Sequence, residues 1–285
     1  MTSPNNKVSF ALSDPATAMA SLFRPVCRGR RPLGLQVDME FNGGQFMFTC
    51  WQWLDTVDQS ILLALIGLAG MDSSNITAET SGEIGKQLWT DLKPEDIAKE
   101  GRGLVVTTSK YAILEAAGLS TSGPYYDRLE DCLYRLMQVG CRVKLNGKHW
   151  GMNLLSYAVN TDDGQVYVAL NQRFAEAIGG QHVNISLDER RQLNSSAAQV
   201  LHGYLSATIH FGKHGVWTGI DSLAERIWGT VSKNESTVRT RRATLLAACN
   251  EIQSLGWRVD IRGHGARQLL LFTRPALIRH HGGSY

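Results

Sequence analysis

The chain has no apolar run close to the roughly 20 residues needed to cross a bilayer. Its longest, Ile61 to Met71, falls well short. The first residues carry a single Lys7 and no apolar stretch leading to a small-residue cleavage site, so no secretory signal is read and a cytoplasmic location is expected. Cysteine is scarce: Cys27, Cys50, Cys132, Cys141 and Cys249 are widely spaced, with no C-x-x-C pair. That excludes a zinc ribbon or a disulfide framework and leaves reduced, small hydrophobes. None of the eight histidines forms a His-x-His triplet, and Gly212 makes the segment between His210 and His214 a loop. No metal site is therefore expected. The segment Gly82-Glu-Ile-Gly85-Lys86-Gln87 lacks the spacing and the Ser/Thr of a phosphate-binding loop. No catalytic group and no cofactor is assigned, and the chain is expected not to be an enzyme. Tyr125-Tyr126 leaves open one enzymatic alternative, a tyrosine nickase, which would need a metal site the histidines do not supply.

What is present is ordinary globular composition over 285 residues, 43% hydrophobic and 19% charged, enough for two modest cores. Net charge is only +3, but it is unevenly laid out. Residues 1–34 hold Lys7, Arg24, Arg28, Arg30 and Arg31 against Asp14, or +4. Residues 236–285 hold eight arginines and no lysine against Glu251 and Asp260, or +6, which leaves −7 for 35–235. Arginine offers a rigid fork suited to phosphate and guanine edges.

An internal repeat sets the expected architecture. Gly140-Cys-Arg-Val-Lys-Leu-Asn-Gly147 aligns with Gly256-Trp-Arg-Val-Asp-Ile-Arg-Gly263 at a constant offset of 116. Each copy follows a helical pattern and leads into a second β run, read at 153–159 and 268–273. Each is preceded by a shorter helix ending near Gly118 or Gly229. Alternation of Trp257, Val259 and Ile261 with Arg258, Asp260 and Arg262 marks a strand. Helix, turn, helix and hairpin make a winged helix, so the expectation is an α+β chain of two tandem winged-helix domains. Boundaries are read as a basic flexible arm at 1–34, rich in proline, a first domain at 35–178 and a second at 179–285, with the junction at Gly179-Gly180. A hairpin at 35–50, an amphipathic helix from Asp55 to Leu68 and helices at 171–178 and 195–211 complete the plan.

The copies differ where a winged helix would meet a duplex. The N-terminal part of the second helix enters the major groove in such readers. In the second copy those turns hold Ser236, Thr237, Arg239, Thr240, Arg241 and Arg242, and residues 236–250 contain no acid to pair with the arginines. The hairpin adds Arg258, Arg262, His264 and Arg267. The first copy's helix instead carries Asp127, Glu130 and Asp131, which repel phosphate, whereas arginines release its counterions. The second domain is therefore the expected main DNA reader. Lys110, Tyr126 and Arg128 would give a weaker contact, and Arg28, Arg30 and Arg31 of the arm would touch phosphate or minor groove. The first domain's helix face is equally open to core packing or self-association.

The chain also resembles a known family. Leu22-Phe-Arg24 with the arm, Leu62 to Gly70, Gly85-Lys-Gln-Leu88, Tyr167-Val-Ala-Leu-Asn171, Gly179-Gly-Gln-His-Val183, Arg239-x-Arg241-Arg242, Leu255-Gly-Trp257 and Thr273-Arg-Pro275 are similar to the RepC-like iteron-binding replication initiators of IncQ-type plasmids. The resemblance implies a bacterial, non-enzymatic protein that binds directly repeated origin sequences in double-stranded DNA, promotes melting and helps load a plasmid helicase, with a primase also involved. A homodimer is a further candidate partnership, and no membrane partner is expected. A winged-helix transcriptional repressor bound to a palindrome remains the alternative.

Overall fold

The computed structural model describes residues 8–26, 31–160 and 162–277. Strand β1 (Phe10–Ser13) leads to a short helix, α1 (Pro15–Met19), whose cap Asp14 accepts from the Thr17 amide and hydroxyl. A long hairpin of β2 (Leu33–Phe41) and β3 (Gly44–Gln52) turns at Asn42-Gly43 with φ of 48° and 75°. Positive φ at both central residues matches the twist of the flanking strands.

Helix α2 (Thr56–Met71) begins in a reciprocal capping box between Asp55 and Asp58. Twelve of its sixteen residues are buried, so the helix read as amphipathic is covered on nearly every side. Then come β4 (Ser74–Ile76), α3 (Glu83–Asp91), β5 (Glu95–Asp96) and β6 (Gly103–Ser109). Next are α4 (Lys110–Ala117), α5 (Gly123–Met137), β7 (Gly140–Leu145) and β8 (Lys148–Asn153). The first body closes with β9 (Leu155–Val159), β10 (Gln165–Leu170), α6 (Gln172–Gly179) and β11 (Val183–Ser186). Its strands form a five-stranded sheet ordered β2-β3-β7-β8-β5, a four-stranded sheet ordered β4-β6-β10-β9, and the pair β1-β11.

Helix α7 (Leu187–Arg191) links the bodies, and the second holds α8 (Ser196–Thr208), β12 (Thr218–Gly219), α9 (Ile220–Trp228), α10 (Glu235–Ser254), β13 (Arg258–Arg262) and β14 (Leu269–Thr273). The last two strands and β12 make a sheet ordered β12-β14-β13. Each body thus contains a helix ended by a left-handed glycine, Gly118 (φ 69°) or Gly229 (φ 65°), then a longer helix and a hairpin.

Three expectations need correction. The arm read over 1–34 is packed over 8–26: Ala11, Ala16, Leu22 and Phe23 are buried in the first core, and β1 pairs with β11. Four prolines hid apolar positions that α2 and β11 cover. The return strand of the first hairpin is not 153–159. Asn146-Gly147 turns with φ of 51° and 73°, so Lys148 pairs directly with Leu145, and β9 joins the other sheet beside β10. The cores change over between Leu187 and Leu193 rather than at Gly179, because Val183, Ile185 and Leu187 belong to the first.

The seam between the cores is stitched by arginines. Fully buried Arg190 donates to Ser60 Oγ, Thr56 O and Gln199 O at 2.9–3.0 Å, and burial pushes its pKa down to about 9. Arg274 donates to Ser206 O, Ile209 O and Asn184 O and lies 3.7 Å above the Phe211 ring; burial brings it down to about 10. Arg24, expected as a free basic group, is 4% exposed. It stacks 4.5 Å over Trp53 and lies against Gly229, where a Cβ would collide with its guanidinium.

Candidate nucleic-acid interface

Helix α10 starts at Asn234, whose side chain accepts from the Ser236 and Thr237 amides at 2.9 and 3.3 Å. Its buried residues are Leu245, Ala248, Cys249 and Ile252, all in the C-terminal half. None of the first ten residues, Glu235 to Thr244, is fully buried; Thr237, Val238, Arg241, Arg242 and Thr244 are half-buried and the rest exposed. At 1.5 Å per residue this stretch is about 15 Å long. Ser236, Arg239 and Thr240 are exposed and Thr237 is half-buried. The Arg239 side chain has no hydrogen-bond or ion-pair partner among the described residues. Lys233, exposed in the turn just before the cap, extends the same cationic run. Sequence reasoning passed over it because it precedes the periodic pattern.

The neighbouring arginines are placed differently. Arg242 makes a two-pronged pair with Asp221 at the start of α9, at 2.7 and 2.6 Å. That bond holds the Asp221 carboxyl below, and the Arg242 guanidinium above, their usual ranges. Arg241 donates to Thr230 O at 2.6 Å and to Thr230 Oγ1 at 3.3 Å, and lies 5.4 Å over Trp228. Both line a cleft of about 350 Å³ between α9 and α10. No acid within 236–250 could pair with these arginines, and the carboxylate that meets Arg242 comes instead from the preceding helix. They brace the two helices, leaving Arg239 and the hydroxyls of Ser236, Thr237 and Thr240 as the groups presented outward.

The hairpin places Arg258 on Asp260 at 2.9 Å and Arg262 at 4.4 Å over the ring of Trp217. Trp217, just ahead of β12, was not singled out in the sequence. At the far end His264 and Arg267 are exposed, and their side chains have no partner among the described residues. The surface thus has two cationic parts, the start of α10 and the tip of β13–β14, both on the second body.

The first body brings its candidates to carboxylates instead. Lys110 pairs with Glu130, and Arg128 lies 3.8 Å from Asp55. Tyr126 packs against the first core, as does Tyr125. Arg31 bridges Asp55 at 2.5 Å and Asp58 at 3.1 Å and is a strut at the start of α2 rather than a free arm residue. Burial raises Asp58, next to Asp55, above the usual carboxylate range even though Arg135 also binds it at 2.9 Å. Arg28 and Arg30 lie outside the described residues. The four described cysteines are buried, and burial pushes the Cys50, Cys141 and Cys249 thiols up to about 12. Among the described residues no group of three or more His, Cys, Asp or Glu side chains is placed to hold a metal, and no helix is long and apolar enough to cross a membrane.

A family model described as Replication protein C (RepC) matches residues 5–270. The chain belongs to the RepC family. In fold, this RepC-family chain is similar to the crystal structure of domain 2 and domain 3 of RctB, at a TM-score of 0.53 and 10% identity. That match covers 89% of this chain and 95% of the other, so the likeness takes in both bodies. A second structure of RctB domains 2-3 matches at a TM-score of 0.49 and 11% identity, covering 90% and 95%. Comparison with curated protein sequences returns no match.

Proposed function

We propose that this RepC-family protein acts at a plasmid origin by binding directly repeated sequences in double-stranded DNA through two tandem winged-helix units, the second being the main reader. One observation carries the reading: none of the first ten residues of α10 is fully buried, and this stretch, capped by Asn234 and braced by Arg241 and Arg242, presents Ser236, Thr237, Arg239 and Thr240. A helix needs no such exposed stretch to fill a core, whereas a helix that enters a major groove, about 12 Å wide, must keep the residues of its first turns at the surface. Arg239 supplies the fork for a guanine edge, the hydroxyls contact bases or phosphates, and Arg267 and His264 on the hairpin meet the flanking backbone.

On this reading the protein is not an enzyme. Its work is to bind and deform DNA, with the deformation offset by added contacts. A plasmid helicase and a primase are the protein partners, and the bacterial cytoplasm is the compartment. Selection of bound sequences from a random duplex library, using the full-length protein, tests the reading. Tandem copies of one motif at a spacing near one helical turn are expected. A single palindrome would replace the initiator by a repressor, and no enrichment would overturn duplex recognition altogether.

A further inference from the structure

One exposed row on α10 begins with a charge of the wrong sign for phosphate. Every fourth residue from Glu235 to Ala247 is exposed: Glu235, Arg239, Ala243 and Ala247. Residues four apart share one side of a helix, about 6 Å from each other. The row therefore starts with a carboxylate, continues with a guanidinium and ends in two methyl groups. It lies away from Leu245, Ala248, Cys249 and Ile252, which fill the core.

Residues 233–242 hold Lys233, Arg239, Arg241 and Arg242 against Glu235 alone. Arg242 is taken by Asp221 and Arg241 by Thr230. Glu235 and Arg239 have no side-chain hydrogen-bond or ion-pair partner among the described residues. They do not pair with each other, although an acid four residues ahead of a base is the order that favours pairing on a helix. Asn234 caps the first amides, so the Glu235 side chain is not engaged in holding the start of the helix.

We infer that Glu235 determines sequence specificity in the duplex site: its carboxylate accepts a hydrogen bond from the exocyclic amine of a cytosine, about two base pairs or fewer from a guanine read by Arg239. The inference rests on the reading of α10 as the major-groove helix. A carboxylate placed against phosphate is repelled. On the groove floor guanine offers the acceptors N7 and O6, thymine offers O4, and adenine sets N7 beside its amine. Cytosine alone presents a donor without an acceptor next to it, which is the edge a carboxylate fits. The 6 Å between neighbours in the row spans less than two base-pair steps at roughly 3.4 Å each. The same charge also opposes any duplex on which the helix lies out of register, so discrimination comes from repulsion as well as attraction.

Selection from a random duplex library tests this, using full-length wild-type, Glu235→Gln, Glu235→Ala and Arg239→Ala proteins. Each is then titrated at fixed salt against the selected duplex and its single-base variants. The wild-type motif should hold a cytosine close to the guanine that Arg239→Ala relaxes. Replacing that cytosine should weaken wild-type binding by about fivefold or more. Glu235→Ala should accept all four bases at that position alone, and should bind a duplex lacking the motif more tightly than the wild type does. Glu235→Gln should change the preference there from cytosine to adenine, whose N6 and N7 suit an amide. A carboxylate serving only the helix dipole would alter thermal stability and leave every base preference in place. If Arg239→Ala relaxes its guanine while both Glu235 variants select the wild-type motif, the inference falls and α10 remains the reader. If Arg239→Ala changes no base preference either, the reading of α10 falls with it.

Discussion

Helices α5 and α10 follow a left-handed glycine in the same way, but their first turns do different things. In α5 the first buried residue is Leu129, the seventh of the helix, and before it Tyr125 and Tyr126 already lean on the first core. In α10 the first is Leu245, the eleventh. Leu129 and Leu245 stand at the same offset of 116, so α10 is the longer by one N-terminal turn, Glu235–Val238, and Arg239 follows it where α5 begins with Gly123. From Asp127 onward the exposed residues of α5 are Asp127, Arg128, Glu130, Asp131 and Tyr134, three acids against one arginine. The same succession of helix, helix and hairpin thus carries a net acidic helix surface in the first body and an arginine-bearing one in the second.

The contrast is between halves that share one rigid seam, so the largest effect should come from breaking the seam. Arg190→Ala removes three hydrogen bonds from a fully buried guanidinium and leaves Thr56 O and Gln199 O without that donor. A loss of about 3 kcal/mol or more is expected in urea unfolding. A loss under about 1 kcal/mol would show that the halves stand independently.

Next in size is the contrast itself. Arg239→Ala should weaken binding to the selected sequence by about 1–3 kcal/mol with circular dichroism unchanged. Asp131→Ala on α5 should change binding less than about twofold. Comparable losses from both, measured by titration at fixed salt, would remove the distinction between the two helices.

A third prediction concerns pH. His202 is fully buried, and desolvation pulls its pKa down even though Glu189 Oε2 lies 2.7 Å from Nε2. The folded state therefore binds this proton less readily than the unfolded chain, whose histidine titrates near its ordinary pKa of about 6.5. The stability gained from neutral His202 is full above that pH and falls on acidification through it. The urea midpoint should drop between pH 7.5 and 6, and His202→Gln should flatten that drop. An unchanged slope in the variant would place the pH dependence elsewhere.

The smallest effect sharpens the role given to Arg242. Asp221→Asn frees its guanidinium beside α10, which should steepen the salt dependence of DNA binding by about one unit. A slope identical to wild type would mean that Arg242 already contacts phosphate while paired.

Local signals were legible in the chain. Asp55, Asn171, Ser195 and Asn234 cap the helices that their spacing announces, because a cap acts on amides two or three residues away. Alternation placed β2, β3, β13 and β14. Asn146-Gly147 held the signal for the β7–β8 hairpin, although the longer apolar run after it drew the strand to 153–159. What the sequence by itself determined is this grammar of elements, the family likeness, and the contrast between an acidic α5 and an arginine-bearing α10. Tertiary structure alone decided which arginines are available. Arg242 is held by Asp221, Arg31 by Asp55 and Asp58, and Arg24, Arg190 and Arg274 are buried at the seam. The carboxylates that hold Arg242 and Arg31 lie 21 to 27 residues away, and Arg190 and Arg274 reach partners up to 134 residues away. A charge read in one dimension has no distance to its counter-ion, and only the packing of the two cores supplies one.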